Sequence, residues 1–424
     1  MPTKSHKKKP APVSPPASPE GLAPEIVVGE SVPDGSLLTK HLGAIRQKEV
    51  EREFRRQEAA AEIARYRWQI AETAHRLEDG VSKLNFESHP FQKGIYKDDA
   101  LDLVVYGSTQ WGKTEYLIVD MAASAGYGLK VRVVISKMEK RNKFVAGRLD
   151  PCFGSVPIYQ EMMKAAASRN AIADSTQLKH FGPGSINLIA AKSKSDFTSY
   201  AADKCQIDEH QECDLNNIKL VDDRLSGSWF GGLVRVGHPT TAGTEINQNL
   251  DWLYHQSDQR VWKVPCDECG KYQVLTWWNH VVIEERHKGA VLSVRPRDGE
   301  WRPGNKFDIR PVCEECHRPM DRLHREGVWE PQRPGIARHG YKLSNLYNAN
   351  KRLDEQLARY SAARHSARDM QEFVNKQLGE PWDMDGSKIS ESMLLDCAAG
   401  TATGILPYRF VPASHFEWRK EHAA

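Results

Sequence analysis

The stretch Gly107-Ser108-Thr109-Gln110-Trp111-Gly112-Lys113-Thr114 limits what this chain can fold into more than any other. It reads G-x-x-x-x-G-K-[ST], the phosphate loop of a nucleotide hydrolase. Leu101 to Tyr106 ahead of it is apolar and partly β-branched, as a buried strand would be, and Glu115 to Ala125 after it reads as a helix. Strand, glycine loop and helix together turn a pattern into a site. The glycines let backbone N–H groups curl round an anion, and the new helix adds its positive end. In this reading residues Gly107, Ser108, Thr109, Gln110, Trp111 and Gly112 wrap the phosphates of ATP. Lys113 reaches the β- and γ-phosphates and Thr114 holds Mg²⁺. A chance match to the pattern is the alternative.

A phosphate loop needs an acidic partner. Cys205-Gln206-Ile207-Asp208-Glu209-His210 is a short strand ending in two carboxylates, about 95 residues downstream. Asp208 is expected to hold Mg²⁺ through its waters and Glu209 to polarise the attacking water. Leu233 to Val236 is a further strand, followed by Gly237-His238-Pro239-Thr240-Thr241. Two readings of Thr240 stand side by side: a segment sensing the γ-phosphate, or a Gly-Pro turn capped by threonine. Gln92, in the linker before the first strand, is a weak candidate for contacting adenine.

Strands at Val131–Ile135 and Ser185–Ala190 alternate with helical stretches, which argues for a parallel sheet with crossover helices. The predicted class is therefore α/β: a P-loop nucleotide hydrolase sheet of the RecA/helicase-like kind, with an N-terminal helical extension and an inserted four-cysteine zinc ribbon. The expected organisation is a disordered basic, Pro-rich tail over 1–36 and a long helical segment over 37–84. The ATPase core follows over 85–260, a zinc-ribbon insertion over 261–330, the end of the ATPase region over 331–386, and a tail over 387–424. In the helical segment Ile63, Tyr66, Ile70, Ala74 and Leu77 mark one face.

Two pairs, Cys266-Asp267-Glu268-Cys269 and Cys313-Glu314-Glu315-Cys316, carry four of the eight cysteines. Eight cysteines in 424 residues are no disulfide framework, and two C-x-x-C knuckles complete a tetrahedron around Zn²⁺. Four thiolates leave no open position, so the metal is structural. Trp277, Trp278, Arg295 and Arg297 either face nucleic acid or cover a small metal-stapled core; the second is favoured. A net charge of only +3 means that any DNA surface is local. No apolar run is long enough for a membrane span and no signal-peptide pattern is present, so a soluble intracellular protein is expected.

These residues, in this order, resemble the large subunit of tailed-phage terminase of the lambda-like, GpA type. The likeness rests on Gln110-Trp111-Gly112-Lys113-Thr114-Glu115, Ile207-Asp208-Glu209, Pro239-Thr240-Thr241, Ser257-Asp258-Gln259-Arg260, Val264-Pro265-Cys266-Asp267-Glu268-Cys269-Gly270, Leu343-Ser344-Asn345-Leu346-Tyr347 and Phe373 to Pro381, and covers roughly residues 85–386. It implies an ATPase that drives double-stranded DNA into a procapsid. It further implies a homo-oligomeric ring docked on the portal protein, a small terminase subunit as partner, and a place in the host cytoplasm. Another DNA translocase or helicase of the same core, and a degenerate non-hydrolysing assembly subunit, are the competing functions.

The sequence departs from the family at three points. Gly107 stands where a basic residue is usual. Thr198-Ser199-Tyr200 stands where arginines are usual, leaving Arg141, Arg148 and Arg224 as candidate fingers. Third, after Gly386 the only acidic residues are Glu391, Asp396, Glu417 and Glu421, too few for a two-metal nuclease. No nuclease activity is therefore expected in this chain, and a separate nuclease chain docking on the tail, at Pro407-Tyr408-Arg409-Phe410, is a possible partner.

Overall fold

The computed structural model describes residues 37–77, 79–168, 175–192, 194–198, 200–244, 248–287, 290–296 and 308–382. The readings of residues 1–36 and 387–424, and Arg297, lie outside them. The chain divides into two compact units, residues 1–55 and 56–424. In the first, the described residues form the start of the helix Leu37–Gln69, and residues 46–55 are all exposed.

The second unit holds the remainder of that helix and a mostly parallel sheet. From Ala59 onward the helix buries Ala59, Ala60, Ile63 and Ala64, and the turn that follows it, Ile70–Ala74, buries Ile70. The strands are β1 Asp102–Gly107, β2 Lys130–Ile135, β3 Leu178–Phe181, β4 Gly184–Ala190, β5 Lys204–Ile207, β6 Gly232–Gly237, β7 Arg260–Pro265, β8 Tyr272–Gln273, β9 Val281–His287, β10 Ala290–Val294, β11 Asp308–Pro311, β12 Val328–Pro331 and β13 Arg338–Leu343. The main sheet runs β12-β7-β13-β1-β6-β5-β2-β4-β3, with β8 paired to β7. From β7 to β4 all neighbours are parallel; β3, β12 and β8 are antiparallel additions.

The strand β1 is apolar on both faces, as a strand covered on both sides tends to be. Along β1, Leu103 and Val105 join the larger core, whereas Val104 and Tyr106 pack with Leu250, Leu253 and Tyr254. The helix Lys113–Tyr127 lies in the larger core and is buried from Glu115 to Ala125. At the start of β1 the Asp102 carboxylate joins both neighbouring strands, 2.7 Å from Arg235 Nη1 on β6 and 2.8 Å from Arg338 Nε on β13.

β13 lies beside β1, with Asp102 opposite Arg338 and Gly107 opposite Leu343. β7 and β12, at the two ends of the stretch expected as the zinc-ribbon insertion, pair with each other in the main sheet. Between them lies a separate three-stranded sheet, β10-β9-β11. Among the described residues no helix is long and apolar enough to cross a membrane.

Candidate functional site

β1 ends at Gly107, and only glycine fits there. Its φ is 144°, and a Cβ would lie 2.2 Å from the Leu343 carbonyl oxygen. Gln110 (φ 65°) and Gly112 (φ 95°) turn the chain back, and the helix begins at Lys113. The first-turn N–H groups of a helix have no intrahelical partner, so they face the concave side of the loop as donors for an anion. The Ser108 hydroxyl is buried without a partner. Lys113 is half-buried, donates to the Ser108 carbonyl and lies 4.8 Å from the Trp111 ring centroid.

The strand between β1 and β5 is β6, so the carboxylates at the end of β5 come from two strands away to face Lys113. Burial pulls the Lys113 ammonium down to about 7, against the attraction of Asp208 and Glu209. Burial and the Glu209 charge push Asp208 up to about 6, against the Glu209 N–H, Lys113 and Arg148. Each group thus sits in a place that disfavours its own charge. A polyanion beside Lys113 and a divalent cation beside Asp208 would relieve both, so these residues fit Mg²⁺-nucleotide.

Glu209 follows at φ 47° and ψ 49°, an uncommon backbone for a residue with a side chain. Its carboxylate does not lie free. Lys140 Nζ is 2.6 Å from Glu209 Oε2 and 2.6 Å from Glu212 Oε2. Glu115, in the first helical turn, pairs with His75 Nε2 at 3.0 Å and with Arg148 at 3.3 Å. Of the three candidate arginines, Arg148 is the one whose charge reaches Asp208. Arg141 is buried against Asn142, and Arg224 lies on the helix Leu220–Leu225.

The segment after β6 reaches the same place. The charges of Lys113, Lys376 and Glu209 all act on His238, whose pKa is lowered chiefly by burial. The Thr240 carbonyl accepts from Trp382 N at 2.8 Å, so its backbone serves a later segment of the chain. Gln92 is buried and donates to the Trp111 carbonyl at 2.8 Å. It braces the loop from the helix Gln92–Lys97. Lys140 carries no motif, while His238 and Lys376 lie inside quoted stretches that give them no role of their own.

At the cysteines, Cys266 and Cys316 Sγ are 3.6 Å apart, as are Cys269 and Cys313 Sγ, and all four sulfurs lie within 4.8 Å of one another. Thiolates on a Zn²⁺ at about 2.3 Å make a tetrahedron with edges of about 3.8 Å, so the set fits that metal. Gln273 Nε2 stands 2.8 Å from Cys313 Sγ and orients it. Trp277 is fully buried, with Tyr360 and Phe373 ring centroids at 5.9 and 5.7 Å.

Similar solved structures include the following three. A mutant of the large terminase ATPase domain of Thermus phage P74-26 aligns at 12% identity and TM-score 0.39, over 72% of this chain and 96% of that one. A second structure of that ATPase domain aligns at 13% and 0.37, over 70% and 93%. The large terminase of a thermophilic bacteriophage aligns at 15% and 0.27, over 38% and 40%. No curated protein matches.

Residues 338–414 match the family described as terminase large subunit gpA, endonuclease domain. This overturns the expectation that the chain carries no nuclease. Counting acidic residues only after Gly386 placed the boundary too late, because the match begins at Arg338, on a strand inside the ATPase sheet. Residues 81–331, more than half of the chain, match the family described as phage terminase large subunit gpA, ATPase domain, and the chain belongs to that family.

Proposed function

We propose that the chain hydrolyses ATP to drive double-stranded DNA into a procapsid, in the host cytoplasm, as the motor subunit of a terminase. It would act as a homo-oligomeric ring on the portal protein, together with a small terminase subunit. The observation that carries this reading is that the charges of Asp208 and Glu209, from a strand two away, act on Lys113, with Lys113 and Asp208 each placed where burial disfavours its own charge.

In this mechanism Lys113 and the first-turn N–H groups hold the phosphates. Thr114 and Asp208 hold Mg²⁺, which when bound neutralises charge on the β- and γ-phosphate oxygens. Glu209 takes the proton of the attacking water, and must leave Lys140 to do so. Thr240, with its neighbour His238, senses the occupied site. Cys266, Cys269, Cys313 and Cys316 hold a structural Zn²⁺. The endonuclease-domain match supports a second, DNA-cleaving activity from Arg338 onward.

Glu209→Gln tests the assignment. It should bind ATP as the unaltered protein does and hydrolyse none, because an amide cannot accept the proton. Lys113→Ala should lose both. Full DNA-stimulated turnover by Glu209→Gln would sink the reading, and strand displacement on a forked duplex would favour a helicase over a packaging motor.

A further inference from the structure

The phosphate loop does not hold its shape alone. Ser108 N donates to the Leu343 carbonyl and Thr109 N to the Lys376 carbonyl, both at 2.9 Å. Asn348 Nδ2 donates to the Gln110 carbonyl at 3.0 Å, and Lys351 to the Gln110 side chain. Gly379, at φ 70°, lies so close that a Cβ would sit 2.5 Å from Ser108 N. Among the described residues, the outside hydrogen-bond partners of Ser108, Thr109 and Gln110 come from residues 343–379, while Gln92 and Phe91 meet Trp111. This segment clamps the loop from below.

The clamp is in turn held by the four-cysteine module. Arg322 Nη1 donates to the Leu346 and Asn348 carbonyls at 2.8 and 2.9 Å, and Nη2 to the Lys351 carbonyl at 2.9 Å. Asn348 and Lys351 are the residues that reach Gln110. Trp277 packs against both Tyr360 and Phe373, the latter one turn before Lys376. Leu275 N donates to the Tyr347 hydroxyl.

Arg322 itself depends on both cysteine knuckles. Behind it, Val312 bridges Pro319, Met320 N donates to the Pro311 carbonyl, and Cys313 N donates to the Arg318 carbonyl. Ahead of it, His324 Nε2 is 3.2 Å from Asp267 Oδ1, inside the first knuckle. Gln273, which donates to Cys313 Sγ and accepts from Glu314 N, and the Lys271–Glu315 pair also join the knuckles, but four sulfurs within 4.8 Å of one another can all be thiolates only around a cation, so the metal adds the bond that locks one knuckle to the other.

We infer that the cysteine module is a remote buttress of the phosphate loop, so that metal occupancy at Cys266, Cys269, Cys313 and Cys316 sets nucleotide affinity through Arg322 and the 343–379 clamp. The inference rests on reading residues 107–114 as the nucleotide site. It makes the metal a control on the ATPase, beyond a local staple. Arg322 acts as a positioning residue, two contacts away from any phosphate.

The test uses the full chain, zinc-loaded and then stripped by a chelator that is dialysed away before Mg²⁺ is restored. Binding of a fluorescent ATP analogue and hydrogen exchange at the Ser108 and Thr109 amides are measured without turnover. Stripping should weaken binding about tenfold, within the usual range of coupling between sites, and speed exchange at both amides. Added Zn²⁺ should restore both. Arg322→Ala keeps all four thiolates and should reproduce both effects with its metal bound, so a stripped protein that unfolds still leaves the inference testable. Unchanged affinity and exchange in Arg322→Ala would overturn it. If the unaltered protein binds no nucleotide, the reading of the loop fails. The amide exchange in Arg322→Ala then still decides whether the buttress exists.

Discussion

Lys140 Nζ lies 2.6 Å from Glu209 Oε2, so the carboxylate chosen as general base is held by a cation outside the phosphate loop. The same ammonium holds Glu212, which also accepts from the Ser136 hydroxyl at 3.3 Å. Lys140→Ala should free Glu209 and raise hydrolysis in the absence of DNA. Both side chains are about 40–45% exposed, and such pairs are worth about 0.2–1 kcal/mol, so the gain should not exceed about fivefold. Steady-state phosphate release with and without DNA checks this. A loss of activity would place Lys140 in the working geometry instead.

Nucleotide affinity should depend on pH through Lys113 and Asp208. Lys113 titrates near 7 in the free protein and would be held protonated by a polyphosphate. Below 7 the ammonium is already formed and affinity is full. Above 7 binding must take up a proton, and affinity falls up to about tenfold per pH unit. Asp208 titrates near 6 and must be ionised to hold Mg²⁺, so affinity also falls as pH drops through 6. Titration calorimetry of the unaltered protein in buffers of different ionisation enthalpy should find proton uptake at pH 8 that disappears as pH falls below 7. A flat profile from pH 5 to 9 would contradict both placements.

Asp120 should matter for stability without touching nucleotide. It is fully buried on the phosphate-loop helix, 2.6 Å from Arg67, 2.7 Å from Lys204 and 2.6 Å from Gln206 Nε2. Burial opposes its charge, but Lys204 and Arg67 prevail and its pKa is lowered. A depressed carboxylate contributes stability above its unfolded pKa, and this is lost as pH falls through the folded value. Asp120→Asn leaves two buried cations underpaired and should cost about 3–5 kcal/mol, read from urea denaturation at neutral pH. A cost below about 1 kcal/mol would mean that water reaches the cluster.

The parts legible in the sequence are those whose chemistry is contiguous. Gly107 to Thr114 carries its own turn, its own helix start and its own lysine, and the Cys pairs carry two ligands each. Ile207-Asp208-Glu209 was found because a strand end with two acids is a local signal. Lys140 is an ordinary surface lysine until the sheet sets β2 beside β5. Arg338–Leu343 gives no hint that it pairs with β1, because parallel neighbours need no turn between them and here stand 236 residues apart. The acidic count failed for a related reason: where one family segment ends is not written as a change in composition when both segments share a sheet.

The position of β13 also bears on how the chain comes to be folded. Strand β1 and its phosphate loop are complete early in synthesis, yet the strand beside β1 and the carbonyl that receives Ser108 N arrive only with Leu343. Until then one edge of β1 offers its unpaired amides to any passing strand. A fragment cut at residue 331, where the ATPase-domain match stops, would leave the ribosome in that half-built state for good.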